Sequence, residues 1–113
     1  MNNNNNTVFI YAKRSNWKDK QDLVSINKQI EDIKNECRKK WLQIEWIYID
    51  NESILTEWKK IDFNKMINEL KERNIKWKWK KIDYLYIYKK TNLIVDLIEN
   101  ENLHLQILSI DEN

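Results

Sequence analysis

The sequence predicts an α/β protein: a mostly parallel four-stranded sheet with helices on both faces, in three layers. Three observations carry this expectation. Short apolar runs beginning near Thr7, Leu42, Ile82 and Leu105 alternate with stretches of helical periodicity. The runs are apolar on both sides, as strands buried between two helix layers must be. Strand and helix in strict alternation imply right-handed crossovers and therefore parallel neighbours.

Each element has its own warrant. Asn2 to Asn6 is a homopolymer that can bury nothing, so residues 1–6 are expected to be a disordered tail and residues 7–113 a single domain. Thr7 to Lys13 reads as the first strand, its apolar run Val8, Phe9, Ile10, Tyr11 and Ala12 ending abruptly in Lys13, Arg14 and Ser15. From Ser25 to Lys40, Ile26, Ile30, Ile33 and Cys37 recur at helical spacing and form one apolar stripe. Cys37 lies in that stripe, which makes it a small buried residue rather than a reactive thiol.

Leu42 to Ile49 is the second strand, closing on Asp50. A polar, irregular stretch follows to Lys60, and Asp62 is expected to cap a helix whose apolar face is Phe63, Met66, Ile67 and Leu70. Ile82 to Tyr88 is the third strand, and alternation assigns Ile82, Tyr84, Tyr86 and Tyr88 to one side and Asp83, Leu85 and Ile87 to the other. The tyrosine stripe is expected to pack under a helix. Leu93 to Glu99 is a short helix and Leu105 to Ile110 the fourth strand.

Composition narrows the function classes. Net charge is +2 with 34% charged residues, so acids and bases are intermixed and no basic arm stands out. One cysteine excludes an internal disulfide, and the absence of an 18-residue apolar stretch or a signal-peptide pattern predicts a cytoplasmic protein with no membrane partner. The chain has no Gly and no Pro, where average usage would give about eight and six. Asn51, Asn74, Asn92 and Asn102 are therefore expected at turns or caps, because Asn tolerates left-handed backbone. A chain without Gly has no glycine-rich phosphate loop, and His104 has no Cys or His at ligand spacing, so no cofactor and no metal are expected.

Parallel strands bring their carboxyl ends to one edge, which here collects Lys13, Arg14, Ser15, Asp50, Lys89, Lys90 and Asp111. Open α/β sheets bind ligands outside that edge. Strand alternation sets Tyr11, Lys13 and Ser15 on one side and Arg14 on the other. A serine that attacks a phosphodiester needs its proton removed and cations around the phosphorus. By residue type alone, a Ser after a strand is more commonly a turn or cap residue.

A resemblance favours the chemical reading. Tyr11, Lys13 and Ser15 are similar to the Tyr-x-Arg-x-Ser strand of serine site-specific recombinases, the resolvase/invertase family. Ser25, Ile26 and Gln29 resemble the Ser-Ile-x-x-Gln that opens its first helix, and Asp50 the Asp that closes its second strand. Ser53 stands in the loop that follows, and Lys60 ahead of Phe63 stands where the family carries Arg-Pro-x-Phe. The run Lys81 to Lys89 resembles its Ile-Asp-hydrophobic strand ending in Lys, and Ile107 to Glu112 its last strand. The likeness extends from about Thr7 to Glu112.

The resemblance implies a resolvase-like domain of flavodoxin-like topology that cleaves and rejoins DNA through a phosphoserine at Ser15, with Tyr11, Lys13, Asp50, Lys60 and Lys89 around it. Gln29, Arg14 and Lys90 would contact DNA. It connects the chain to DNA integration, transposition and mobile elements, with a homo-oligomer or another recombinase subunit as partner. Departures set a limit. The family's Asp-Arg-Leu-x-Arg block is occupied by Thr91, Asn92, Leu93, Ile94 and Val95, so both arginines are gone. Lys13 and Lys60 keep charge without the bidentate fork that arginine offers phosphate. The chain stops after its fourth strand, so the family's dimerisation helix and DNA-binding region are expected to be lacking. Impaired or absent cleavage and weak, salt-sensitive DNA binding follow. The alternative is a non-catalytic α/β module that binds a protein partner.

Two other features stand out. Trp77, Lys78, Trp79, Lys80 and Lys81 interleave aromatics with bases, a pattern suited to nucleic acid although a solvated connection is the plainer reading. Trp41 falls after the first helix, where the family tends to have Gly.

Overall fold

In a computed structural model, residues 6–14, 24–51, 59–77 and 80–112 are described. Ser15, Ser53, Lys78 and Trp79 lie outside them, as does the tail through residue 5. The elements run β1 (Thr7–Arg14), α1 (Ile26–Lys39), β2 (Gln43–Asn51), α2 (Ile61–Leu70), β3 (Tyr84–Ile87), α3 (Asn92–Glu99) and β4 (Gln106–Ser109). The four strands form one sheet in the order β2-β1-β3-β4, every pair parallel. The ladder continues one residue before β1, because Asn6 C=O accepts from the Gln43 N–H at 2.7 Å. The expected tail therefore ends before Asn6.

Because β1 is central and apolar on both sides, it feeds two cores. Phe9 and Tyr11 join Tyr48, Leu85 and Ile87 beneath Phe63, Met66 and Leu70 of α2 and Ile94 and Ile98 of α3. Val8 and Ile10 join Tyr86 beneath Ile33 and Cys37 of α1. Burying a side chain of this size is worth roughly 1.5–3 kcal/mol, so the three layers hold each other. Tyr84 and Tyr88 pack at the margin of the α1 core, as the tyrosine stripe predicts.

Ser25 caps α1, its Oγ accepting from the Lys28 N–H, and Arg38 and Lys39 lie in the last turn where cations favour the helix dipole. Thr91 does the same for α3, accepting from the Ile94 N–H. A β-bulge interrupts the β1–β2 register: Val8 pairs with Ile44 but Phe9 with Trp46, leaving Glu45 extra. Glu45 meets Arg73 at 3.3 Å, while Arg73 also pairs with Glu69 at 2.9 Å and lies over the Phe9 ring.

The helix predicted after Lys60 continues past Leu70 as a π-helical segment, Lys71–Trp77. Three expectations are corrected. Ile82 packs with Leu85 and Ile87, not with the tyrosines of β3; it precedes β3, so strand alternation does not reach it. Asp62 does not cap α2; it is the second helical residue, and its carboxylate accepts from the Ile49 N–H at 3.0 Å. Of the four turn asparagines only Asn102 has left-handed backbone, which is also adopted by Trp41, Lys60 and His104.

Asn51 instead ends β2 and Asn92 begins α3. Asn74, 2% exposed, is a clamp in the π-helical segment. Its amide donates to the carbonyls of Ile82 and Leu103 at 2.9 Å each and accepts from the Ile82 N–H at 2.8 Å. Among the described residues no helix is long and apolar enough to cross a membrane.

Candidate active site at the carboxyl edge

From β1 the chain crosses to β2 on one side and then to β3 on the other, so the carboxyl ends of β1 and β3 flank the point where connections diverge. Such a point is where an open sheet leaves a crevice. Here it is lined by Tyr11 and Lys13 of β1, Gln29 of α1, Ile87 of β3, Tyr88, Lys89, Thr91 and Ile94. The enclosed space is about 30 Å³, room for a water-sized group.

Two bases face this crevice. Lys13 is half-buried and Lys89 exposed, so a small anion would sit between the ends of adjacent strands. Tyr11 is 2% exposed, its ring edge-on to Phe63 at 5.3 Å, and its hydroxyl donates to the Asp50 carboxylate at 2.6 Å. Asp50 also accepts from the N–H groups of Asp62 at 2.7 Å and Phe63 at 3.0 Å. The end of β2 thus supplies the cap that α2 lacks locally, placing a carboxylate at a helix amino end where the dipole favours it. Asp50 is 6% exposed and stands behind Tyr11, not in the crevice.

Gln29 is 4% exposed and its amide donates to the carbonyls of Lys13 at 2.8 Å and Val24 at 2.9 Å. It ties the start of α1 to the end of β1. Lys60 begins α2 in the left-handed region, φ 61°, and its carbonyl accepts from the Asn64 N–H. Lys60 lies beside the Asp50 cap but does not line the crevice. Arg14 pairs with Asn51 one step beyond the Lys13–Asp50 pair. Lys90 lies apart: its N–H donates to the Asp111 carboxylate at 3.3 Å, and it borders a different crevice, beside β4.

Sequence reasoning missed Tyr88 as a site residue and gave Thr91 no role of its own there. Tyr88 donates to Asp32 at 3.3 Å, and Asp32 pairs with Lys28 at 3.1 Å, whose ammonium is thereby held above its ordinary pKa. The signal for Thr91 was its place three residues ahead of Ile94, a capping spacing. Cys37, buried on the sheet-facing side of α1, has its thiol pushed up to about 11 by desolvation. Among the described residues no cluster of three or more His, Cys, Asp or Glu is placed to hold a metal.

No protein-family model matches the chain, and no curated protein does. Solved structures do. The N-terminal catalytic domain of TP901-1 integrase superposes with a TM-score of 0.65 at 18% identity, covering 94% of this chain and 78% of that one. The C-terminal catalytic domain of ISC1926 TnpA, an IS607-like serine recombinase, gives 0.59 at 20% identity, covering 92% and 69%. The chain thus shares its α/β fold, a parallel four-stranded sheet flanked by helices, with these two catalytic domains.

Proposed function

We propose that this chain is a serine-recombinase-type domain acting on DNA, with Ser15 as the nucleophile position and chemistry weakened by lost arginines. The observation that carries the reading is the crevice at the β1–β3 junction, which Lys13 and Lys89 line together with the anchored Tyr11. Ser15 follows Lys13 by two residues in the sequence. In the reaction, the Ser15 hydroxyl would lose its proton and bond to a backbone phosphorus while a deoxyribose oxygen leaves and takes up a proton. Reversal by that hydroxyl rejoins the strand and frees the serine. Lys13 and Lys89 would balance charge on the phosphoryl oxygens. Lys60, Arg14 and Lys90 would meet flanking phosphates, Asp50 would position Tyr11, and Gln29 would hold the end of β1.

Impairment follows from α3. Asn92 and Val95 occupy the positions of the two family arginines, and neither side chain offers a cation; Ile94 between them is buried. Incubation with a suicide DNA substrate tests the reading. A slow covalent adduct that vanishes in Ser15→Ala is expected, and Asn92→Arg with Val95→Arg should speed it by roughly 10³-fold, on the scale of transition-state arginines. No Ser15-dependent adduct at any protein concentration overturns catalysis.

A second reading, a non-catalytic module for a protein partner, is favoured by the crevice of about 420 Å³ beside edge strand β4, where Leu105 and Ile107 are part-exposed. A monomer in size-exclusion chromatography that recruits neither itself nor a recombinase subunit counts against it.

A further inference from the structure

The edge opposite the candidate site carries a different set of side chains. Lys40 ends α1, and Trp41 follows with left-handed backbone, φ 59°, and 86% exposure. For a bulky residue that conformation costs roughly 1–2 kcal/mol relative to right-handed backbone, and the exposed indole buries little in return. Trp77 ends the π-helical segment 52% exposed, with the Lys76 ammonium over one face of its ring at 6.0 Å, and Lys80 and Lys81 are exposed beyond it. Asn6 and Thr7 join these two segments: Asn6 C=O accepts from the Gln43 N–H, and Thr7 Oγ1 donates to Lys81 C=O at 2.9 Å. The Asp83 carboxylate accepts from the Thr7 N–H at 3.1 Å. Glu36 and Glu72 are engaged by Lys39 and Lys76 within their own helical segments.

We propose that this amino edge is a second contact surface, for single-stranded nucleic acid, on which Trp41 and Trp77 stack bases and Lys80 and Lys81 meet phosphates. Exposed aromatics beside cations fit a stacked, charged polymer, and stacking is indifferent to sequence. The strand order sets residues 41–43 and 81 on opposite sides of β1, about 10 Å apart at two strand spacings. The eight residues of β1 separate this edge from the crevice by roughly 23 Å. The two surfaces therefore share no side chains.

The test is fluorescence anisotropy of a labelled short oligothymidylate with the full chain at low salt. Trp41→Gly, and separately Lys80→Gln with Lys81→Gln, should each weaken binding roughly tenfold, while Lys65→Gln, an exposed lysine of α2 that lines neither surface, leaves it in place. Trp41→Gly relieves the left-handed backbone, and circular dichroism confirms that it folds. The proposal is overturned by undetectable binding, by binding indifferent to the amino-edge variants, or by loss only in the Lys13→Gln, Lys89→Gln protein, which would assign the contact to the crevice. Displacement by polyglutamate as effective as by unlabelled oligothymidylate would also overturn it, in favour of an acidic protein partner.

Discussion

Asn74 and Asp50 do the same work at opposite edges of the sheet, one without charge and one with it. Each is a nearly buried side chain that makes three hydrogen bonds to join segments distant in sequence. Asn74 holds two connections at the amino edge through an amide whose donors and acceptor are all used. Asp50 holds the start of α2 and the Tyr11 hydroxyl at the carboxyl edge. A neutral clamp adds no field, whereas a carboxylate has to be balanced by helix dipole and neighbouring bases. The difference suits the two edges: the amino end is closed by neutral pairing, and the end where cations gather is built around a charge.

Removing either clamp should be costly, and the charged one more so. Asp50→Ala leaves three donors unpaired and is expected to lower unfolding free energy by roughly 4 kcal/mol, measured by urea denaturation. Asp50→Asn should lose less, since one acceptor remains. Asn74→Ala orphans one N–H and two carbonyls and should cost about 3 kcal/mol by the same measurement. If Asn74→Ala were the more damaging of the two, charge would not be what distinguishes the edges.

Alkaline titration probes another neutral group, Cys37, in the last turns of α1. Its thiol is raised to about 11 in the folded protein from an ordinary value near 9.0, so the native state keeps the proton longer. Stability is whole below pH 9 and falls as pH rises toward 11, by about 2 kcal/mol. In Cys37→Ala that part of the decline should disappear. What remains above pH 10 would include Tyr48, whose hydroxyl is raised by burial and by Glu69, and Lys28, raised by its bond to Asp32.

The smallest effects are expected at the left-handed positions, one near each edge. Trp41→Gly and Lys60→Gly should each stabilise by about 0.5–1 kcal/mol, read from thermal melts. A loss of stability at Lys60 alone would mean that its side chain supports the Asp50 cap.

Much of the fold was legible because its signals are local. The apolar strands and the stripe of α1 lie within a few residues of what they determine. What escaped depends on partners far along the chain. The cap of α2 comes from Asp50, twelve residues before Asp62, so local sequence pointed to the wrong aspartate. Asn74 was assigned to a turn because its composition suits one, while its three partners lie at Ile82 and Leu103. Of the candidate site, Tyr11, Lys13 and Lys89 were legible as strand-end residues that line the crevice, with Asp50 behind Tyr11. Tyr88 and the clamp made by Gln29 emerged only once α1 lay across the sheet.

The bulge at Glu45 has a consequence for how this chain tolerates change in length. Because the β1–β2 ladder slips once between Val8 and Phe9 and runs regularly from Phe9 to Arg14, the two halves of β2 are phased independently. Deleting Glu45 would straighten the first half and sever its tie to Arg73, yet Tyr48 and Asp50 would still face α2 and Tyr11. The irregularity works as an expansion joint: additions or losses between α1 and Trp46 are taken up before they reach the carboxylate on which the candidate site is built.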